Sequence, residues 1–124
     1  MANPQYTGPK RLLHACYNSA AGLRAAWKNE EAFRQETALA VVLIPAAFWL
    51  GENSVQICLL LLSVFVVLIV ELLNTCVEMI IDRISNEQHE LSRQIKDIAS
   101  AAVGVSLIVL AVVWGVIAYA RFSA

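Results

Sequence analysis

A chain of 124 residues has room for one domain, and this one is 59% hydrophobic and 15% charged, against about 25% charged in a typical soluble domain. That balance excludes an ordinary soluble protein and reads as an integral membrane domain over residues 1–124, while a net charge of −1 excludes the global basic field that nucleic acid demands. Cys16, Cys58 and Cys76 stand far apart with no metal-type or C-x-x-C spacing, so they read as reduced packing residues.

The N-terminus, MANPQYTGPKR, is polar and lacks the apolar core of a cleavable signal. The first predicted element is a helix over about residues 9–31, with Pro9 suited to its first turn. Leu12, Cys16, Leu23, Ala26 and Trp27 share one side, and Lys10, Arg11, Arg24 and Lys28 supply cations. This pattern fits an amphipathic helix lying in the membrane interface, its bases toward anionic headgroups. A cytosolic helix packed on the rest of the protein is the close alternative.

A first span is predicted over about 32–50. Its strictly apolar part, Ala38 to Leu50, is short, and Phe33 to Thr37 brings it near the ~20 residues that cross hydrocarbon. Pro45 is a candidate kink, Trp49 belongs at the far interface, and Gly51-Glu52-Asn53 makes a tight connection. A second span, about 54–82, is long enough to project past the near interface. Ser85-Asn86 breaks the pattern, with Ser85 and Gln88 as a weak capping pair. The last helix starts near Glu87 as a polar segment. Its span, about 96–121, contains 23 residues without a charge from Ile98 to Ala120.

Bases gather at the N-terminal region (Lys10, Arg11, Arg24, Lys28, Arg34) and after the second span (Arg83, Arg93, Lys96), whereas the 51–53 loop has none. The positive-inside bias then predicts three spans with the N-terminus in the cytoplasm and the C-terminus outside. Three spans bury little surface alone, so an oligomer is expected.

Glu71, Asn74, Glu78 and Asp82 fall within one stripe about 80° wide on the second span. Carboxylates among Leu, Ile and Val are costly at membrane depth and mark function. Glu71 lies deepest, roughly 16 Å below Asp82. It suits a general base, a transporter's proton carrier or a helix–helix hydrogen bond about equally. Glu78 sits where aqueous ions reach, and a second carboxylate beside it suits a hard cation. Glu30, at the junction of surface helix and span, is the candidate partner, with Glu31 and Glu36 as competitors; solvated interfacial acids are the plain alternative. Asn74 suits either orienting a carboxylate or an interhelical hydrogen bond.

His89, Arg93, Lys96 and Ser100 form one cationic-polar stripe on the last helix. It suits a phosphate clamp or, more plainly, a solvated face. Asp97 beside it is placed to pair with Lys96 of a neighbouring helix or to orient a metal's water. No P-loop, Rossmann or protein-kinase motif is present.

The run Glu71-Leu72-Leu73-Asn74-Thr75-Cys76-Val77-Glu78-Met79-Ile80-Ile81-Asp82 resembles the signature of prokaryotic diacylglycerol kinases. Only Cys76 departs, in a slot usually Ser or Ala. Flanking blocks agree: Gly22 to Trp27, Asn29-Glu30, Ala32 to Glu36, His89 to Ser92, Lys96-Asp97 and Ser100 to Val103. The likeness covers nearly the whole chain and is nearer the Gram-negative type than the related undecaprenol kinases, which remain the alternative.

The resemblance implies an all-α homotrimer of three-span subunits with an amphipathic surface helix, in the bacterial inner membrane. It implies transfer of the γ-phosphate of ATP, with Mg2+, to the hydroxyl of diacylglycerol, giving phosphatidic acid on the cytoplasmic side, in active sites shared between subunits. By position, Glu71 resembles the catalytic proton acceptor, and Glu30 and Glu78 the metal ligands. Those two acids, Arg11, Asn18, Glu87, Gln88, His89, Lys96 and Asp97 resemble the ATP-contacting set; near Asn18 some relatives carry aromatics where this chain has only Tyr17. Arg11, Arg24, Ala25, Ala26, Trp27, Ala32, Phe33, Arg34, Gln35, Glu36, Trp49, Glu71 and Ser100 resemble the lipid-binding set; Asn74 and Asp82 are expected as supporting residues of the site as a whole. Beside this stand a proton-coupled transporter subunit using Glu71, against which the paired acid and base stripes argue, and a purely structural protein, which leaves the buried acids without a use.

Overall fold

The computed structural model describes residues 7–84 and 89–123. They form four helices: α1 (Gly8–Asn29), α2 (Glu31–Leu50), α3 (Ser54–Ile84) and α4 (Glu90–Phe122). No strand occurs among the described residues. Helices α2, α3 and α4 are each long and apolar enough to cross a membrane. At 1.5 Å per residue the 31 residues of α3 and 33 of α4 extend about 45–50 Å, well beyond a ~30 Å hydrocarbon core. The polar start and apolar span expected for the last segment are therefore one continuous helix.

Local chemistry sets the boundaries. Gly8 opens α1 with a φ of +61°, a left-handed conformation that glycine adopts without steric cost, and Pro9 follows in the first turn. Pro45 lies inside α2 without ending it. At the tight connection, a Cβ on Gly51 would stand 2.5 Å from Ile57 Cγ1, so the side chain is absent where α3 closes on the loop. Asn53 Oδ1 accepts from the Gln56 N–H at 3.0 Å, and Gln56 Oε1 accepts from the Glu52 N–H at 2.9 Å. The first bond caps α3 from Asn53, and the second ties Gln56 back to Glu52, the residue before Asn53. The Ser85 and Gln88 pair lies outside the described residues; α4 is capped by His89, whose Nδ1 accepts from the Leu91 N–H at 3.0 Å.

The main packing is α3 against α4 and against α2, while α1 rests chiefly on α2. Leu60, Ser63, Val64, Val67, Glu71 and Thr75 are the buried positions of α3, spaced three and four apart as one helical face requires. Ala40 and Ala47 of α2 are also buried, small residues that allow helix backbones to approach closely in lipid. Ala47, Leu50, Leu60 and Ile117 form the apolar core near the 51–53 loop. Many large apolar side chains point outward, among them Val41, Phe48, Leu62, Ile69, Ile108 and Val116. Such a surface belongs against hydrocarbon or another protein rather than water.

Candidate functional site

The site is built around a one-residue junction. Glu30 is at once the C-cap of α1 and the N-cap of α2, with extended backbone (φ −120°, ψ 111°). Its N–H donates to Ala26 O at 2.9 Å, and its carbonyl accepts from the Arg34 N–H at 3.2 Å. The last carbonyls of a helix lack intrahelical partners, and here Arg34 supplies one. Its Nη1 donates to Trp27 O at 2.7 Å and to Lys28 O at 3.3 Å. Ala26 and Phe33 are buried where α1 rests on α2.

The acid stripe of α3 runs toward this junction. Glu71 continues the packing face of α3 and is only 3% exposed. One turn on, Thr75 Oγ1 donates back to Glu71 O at 3.0 Å, which satisfies the buried hydroxyl within its own helix. Glu36 of α2 lies near enough to Glu71 for the two carboxyl groups to interact. Glu30 and Glu78 are close enough to act on Glu71 electrostatically. Asn74 Nδ2 donates to Glu78 Oε1 at 3.3 Å, while Asn74 Oδ1 and Glu36 Oε2 are buried without a hydrogen-bond partner. Buried polar atoms left unpaired are costly. Among the described residues no three His, Cys, Asp or Glu side chains gather to hold a metal.

Beside the stripe, a cavity of about 490 Å3 opens between α1 and α3, lined by Leu23, Ala25 and Ala26 on one side and Leu72, Thr75 and Met79 on the other. Leu72 and Thr75 flank Glu71 on α3. The lining is almost wholly apolar, so the gap suits hydrocarbon.

At the start of α4 the expected cationic stripe divides. The Arg93 guanidinium turns to its own helix, Nη2 meeting Glu90 Oε1 at 2.6 Å and Nη1 meeting Asp97 Oδ2 at 3.3 Å. Asp97 is thus engaged by Arg93, where pairing with Lys96 of a neighbouring helix was one expectation. Lys96 turns to α3, its Nζ donating to Asp82 Oδ1 at 2.7 Å.

Of the expected residues, Glu30, Glu36, Glu71, Asn74 and Glu78 come together, with Ala25 and Ala26 on the adjoining cavity. Arg11, Asn18, Arg24, Trp27, Ala32, Gln35 and Ser100 are exposed, and among the described residues no side-chain hydrogen bond or ion pair joins them to the acids. Glu87 and Gln88 lie outside the described residues. Trp49 stands 13 residues beyond Glu36 on α2, roughly 20 Å along the helix axis, against Arg121 and Phe122. Sequence reasoning missed the Arg34 cap, which its spacing seven residues past Trp27 does not signal. It also missed the closure of Arg93, for which acids at i−3 and i+4 were the available sign.

Residues 17–118 match the family model described as prokaryotic diacylglycerol kinase. The chain is 49% identical over 115 residues to the diacylglycerol kinase of Pseudomonas aeruginosa, covering 90% of each chain. It is 47% identical over 109 residues to that of Haemophilus influenzae, covering 88% of this chain and 92% of the relative. With that of Escherichia coli it shares 43% identity over 123 residues, 99% of this chain and 100% of the relative. An acid stripe with Glu71 buried, three helices long enough to span a membrane and likeness over nearly the whole chain lead to one assignment: the chain belongs to the prokaryotic diacylglycerol kinase family.

Proposed function

We propose that the protein transfers the γ-phosphate of ATP to the hydroxyl of diacylglycerol, giving phosphatidic acid and ADP at the cytoplasmic face of a bacterial inner membrane. The observation that carries this reading is the position of Glu71, buried between helices beside an apolar cavity, with Glu30 and Glu78 near it. Family membership supplies the reaction class.

The alcohol's O–H bond breaks as its oxygen attacks the γ-phosphorus; Glu71 takes the proton. The bond from the γ-phosphorus to the bridging oxygen breaks in line, and ADP leaves. Glu36, meeting Glu71, fixes the base's orientation, and the exclusion of water around Glu71 keeps the lipid hydroxyl as the nucleophile. Lys96 offers a point charge to the phosphates. Glu30 and Glu78 offer two hard oxygen donors, a set that fits Mg2+ bound jointly with phosphate oxygens and water. Once bound, Mg2+ would neutralise charge on the phosphates.

The diacylglycerol tails run along the cavity between α1 and α3, with α1 in the interface; exposed Leu12, Leu13 and Tyr17 support that placement. The N-terminus is cytoplasmic and the C-terminus periplasmic, in keeping with the distribution of bases. The outward apolar faces support a homotrimer, with sites shared between subunits.

The test is phosphorylation by the purified protein in mixed micelles with labelled ATP and Mg2+, comparing diacylglycerol with undecaprenol. Phosphatidic acid as the main product supports the reading. Preference for undecaprenol replaces the substrate, and ATP-independent proton flux in liposomes without lipid phosphorylation replaces the function.

A further inference from the structure

Two cations stand on the first turns of α4, and their surroundings differ. Arg93 is closed by Glu90 and Asp97 of its own helix. Lys96 reaches across to α3, where Asp82 Oδ1 accepts from its Nζ at 2.7 Å. Asp82 lies one turn beyond Glu78 on the acid stripe, and Glu78 is itself within electrostatic reach of Lys96. The pair is open to water, with side chains 40% exposed for Lys96 and 67% for Asp82. Ion pairs so exposed contribute little to fold stability, so the stability of the bundle gives this contact no strong reason to exist.

Its effect on Lys96 is larger. An ammonium group carries three donors, and Asp82 engages one of them while leaving the group on the stripe side of α4. A free lysine side chain samples many rotamers, and ordering it beforehand removes part of the cost of a later binding step.

We infer that Asp82 is a positioning residue, which holds the Lys96 ammonium where a phosphate of the nucleotide bound near Glu78 can accept from it. This rests on the reading of Lys96 as an ATP contact. Asp82 acts through Lys96 and touches no reacting atom.

The experiment measures binding of a non-hydrolysable ATP analogue with Mg2+ by calorimetry on the full-length protein in micelles, for wild type, Asp82→Asn, Asp82→Glu, Lys96→Met and the double variant Asp82→Asn/Lys96→Met. Asp82→Asn is expected to weaken binding about three- to tenfold, the range of a modest charge interaction. Asp82→Glu recovers most of the loss. In the Lys96→Met background, Asp82→Asn changes nothing further. Unchanged affinity in Asp82→Asn, or the same loss in both backgrounds, overturns the inference and leaves Lys96 as an ATP contact. Wild-type affinity in Lys96→Met overturns that reading, and the inference with it. Turnover adds a second readout, since an equal rise in the KM for diacylglycerol would mark a structural role and overturn the proposal. Asp82→Ser gives the same comparison should Asp82→Asn not assemble.

Discussion

Trp114 of α4 donates its indole Nε1–H to Ser63 Oγ of α3 at 3.0 Å, and that hydroxyl donates on to Leu60 O at 2.7 Å. Ser63 is 3% exposed and lies in the apolar part of its span. Its single proton can go to only one acceptor, so giving it to Leu60 leaves the oxygen lone pairs to receive the indole. The relay ties the two helices whose mutual packing dominates the bundle.

Replacing Ser63 by Ala removes the acceptor and leaves the Trp114 N–H in hydrocarbon. Interhelical hydrogen bonds in membranes average about 0.6 kcal/mol with a maximum near 1.7, so a loss of about 1 kcal/mol is expected in unfolding from mixed micelles. Trp114→Phe in the Ser63→Ala background should cost less than Trp114→Phe alone. Equal costs in both backgrounds would show that the two side chains act independently.

Glu71 is expected to be indispensable for turnover and dispensable for assembly. Glu71→Gln keeps the shape and the hydrogen-bonding capacity toward Glu36 but cannot accept the alcohol's proton. Loss of a general base costs about 10²- to 10⁴-fold in kcat. The variant should still sediment at wild-type size and bind the ATP analogue. Near-normal turnover would remove the base assignment.

The placing of Glu71 was legible in the chain because polar residues at 71, 74, 78 and 82 recur at helical spacing within a hydrocarbon run. Glu30 was legible as a junction because polarity changes there. The cap on α3 was equally open to reading, since Asn53 and Gln56 stand at N-x-x-Q spacing before an apolar run. Ser63 with Trp114, Arg34 with Trp27 O, and Lys96 with Asp82 were not. Each pairing joins residues by the rotation of one helix against another or by the angle of a bend, and periodicity within one helix carries no information about either. The stripe of His89, Arg93, Lys96 and Ser100 illustrates the difference. Residues that share a face by spacing still part company when Arg93 finds acids on its own helix and Lys96 finds one across the gap.

Metal dependence should divide between ligand and support. Glu78→Gln and Glu30→Gln each remove a hard oxygen donor and should raise the Mg2+ concentration for half-maximal activity by about tenfold or more. Asn74 Nδ2 holds Glu78 Oε1 at 3.3 Å; Asn74→Leu is expected to raise it about tenfold, as loss of a group that orients a ligand does. Chelation should stop turnover and added Mg2+ restore it. Titrations of these variants that overlay the wild-type curve would exclude the two acids as ligands.

Arg121 locks the opposite end of the bundle. Its Nη1 donates to Trp49 O at 2.7 Å and to Leu50 O at 3.0 Å, closing the C-terminus of α2 from α4, and its guanidinium lies 5.1 Å from the Trp49 ring centroid. Arg121→Ala should lower unfolding stability by about 1 kcal/mol, the scale of a partly exposed charged hydrogen bond. Its kcat and Mg2+ requirement should stay as in wild type, because the contact lies far from Glu71. A selective fall in kcat with stability unchanged would contradict this division.

Arg34 makes the corresponding contact at the other end, where its geometry reaches the site. By donating to Trp27 O and Lys28 O, it fixes the angle at which α1 leaves α2, and Glu30 is the one residue between them. Arg34→Ala frees that angle and so displaces Glu30 relative to Glu78. The expected result is a several-fold rise in the Mg2+ requirement, as for other groups that support a ligand, with the ATP- and Mg2+-saturated rate much less affected. Arg34→Lys should recover only part of the deficit, because the lysine side chain is one atom shorter and its ammonium is more strongly hydrated than the guanidinium Nη1 that serves both carbonyls. If Arg34 instead served chiefly as a contact to the lipid, the KM for diacylglycerol would rise and the Mg2+ titration would not move.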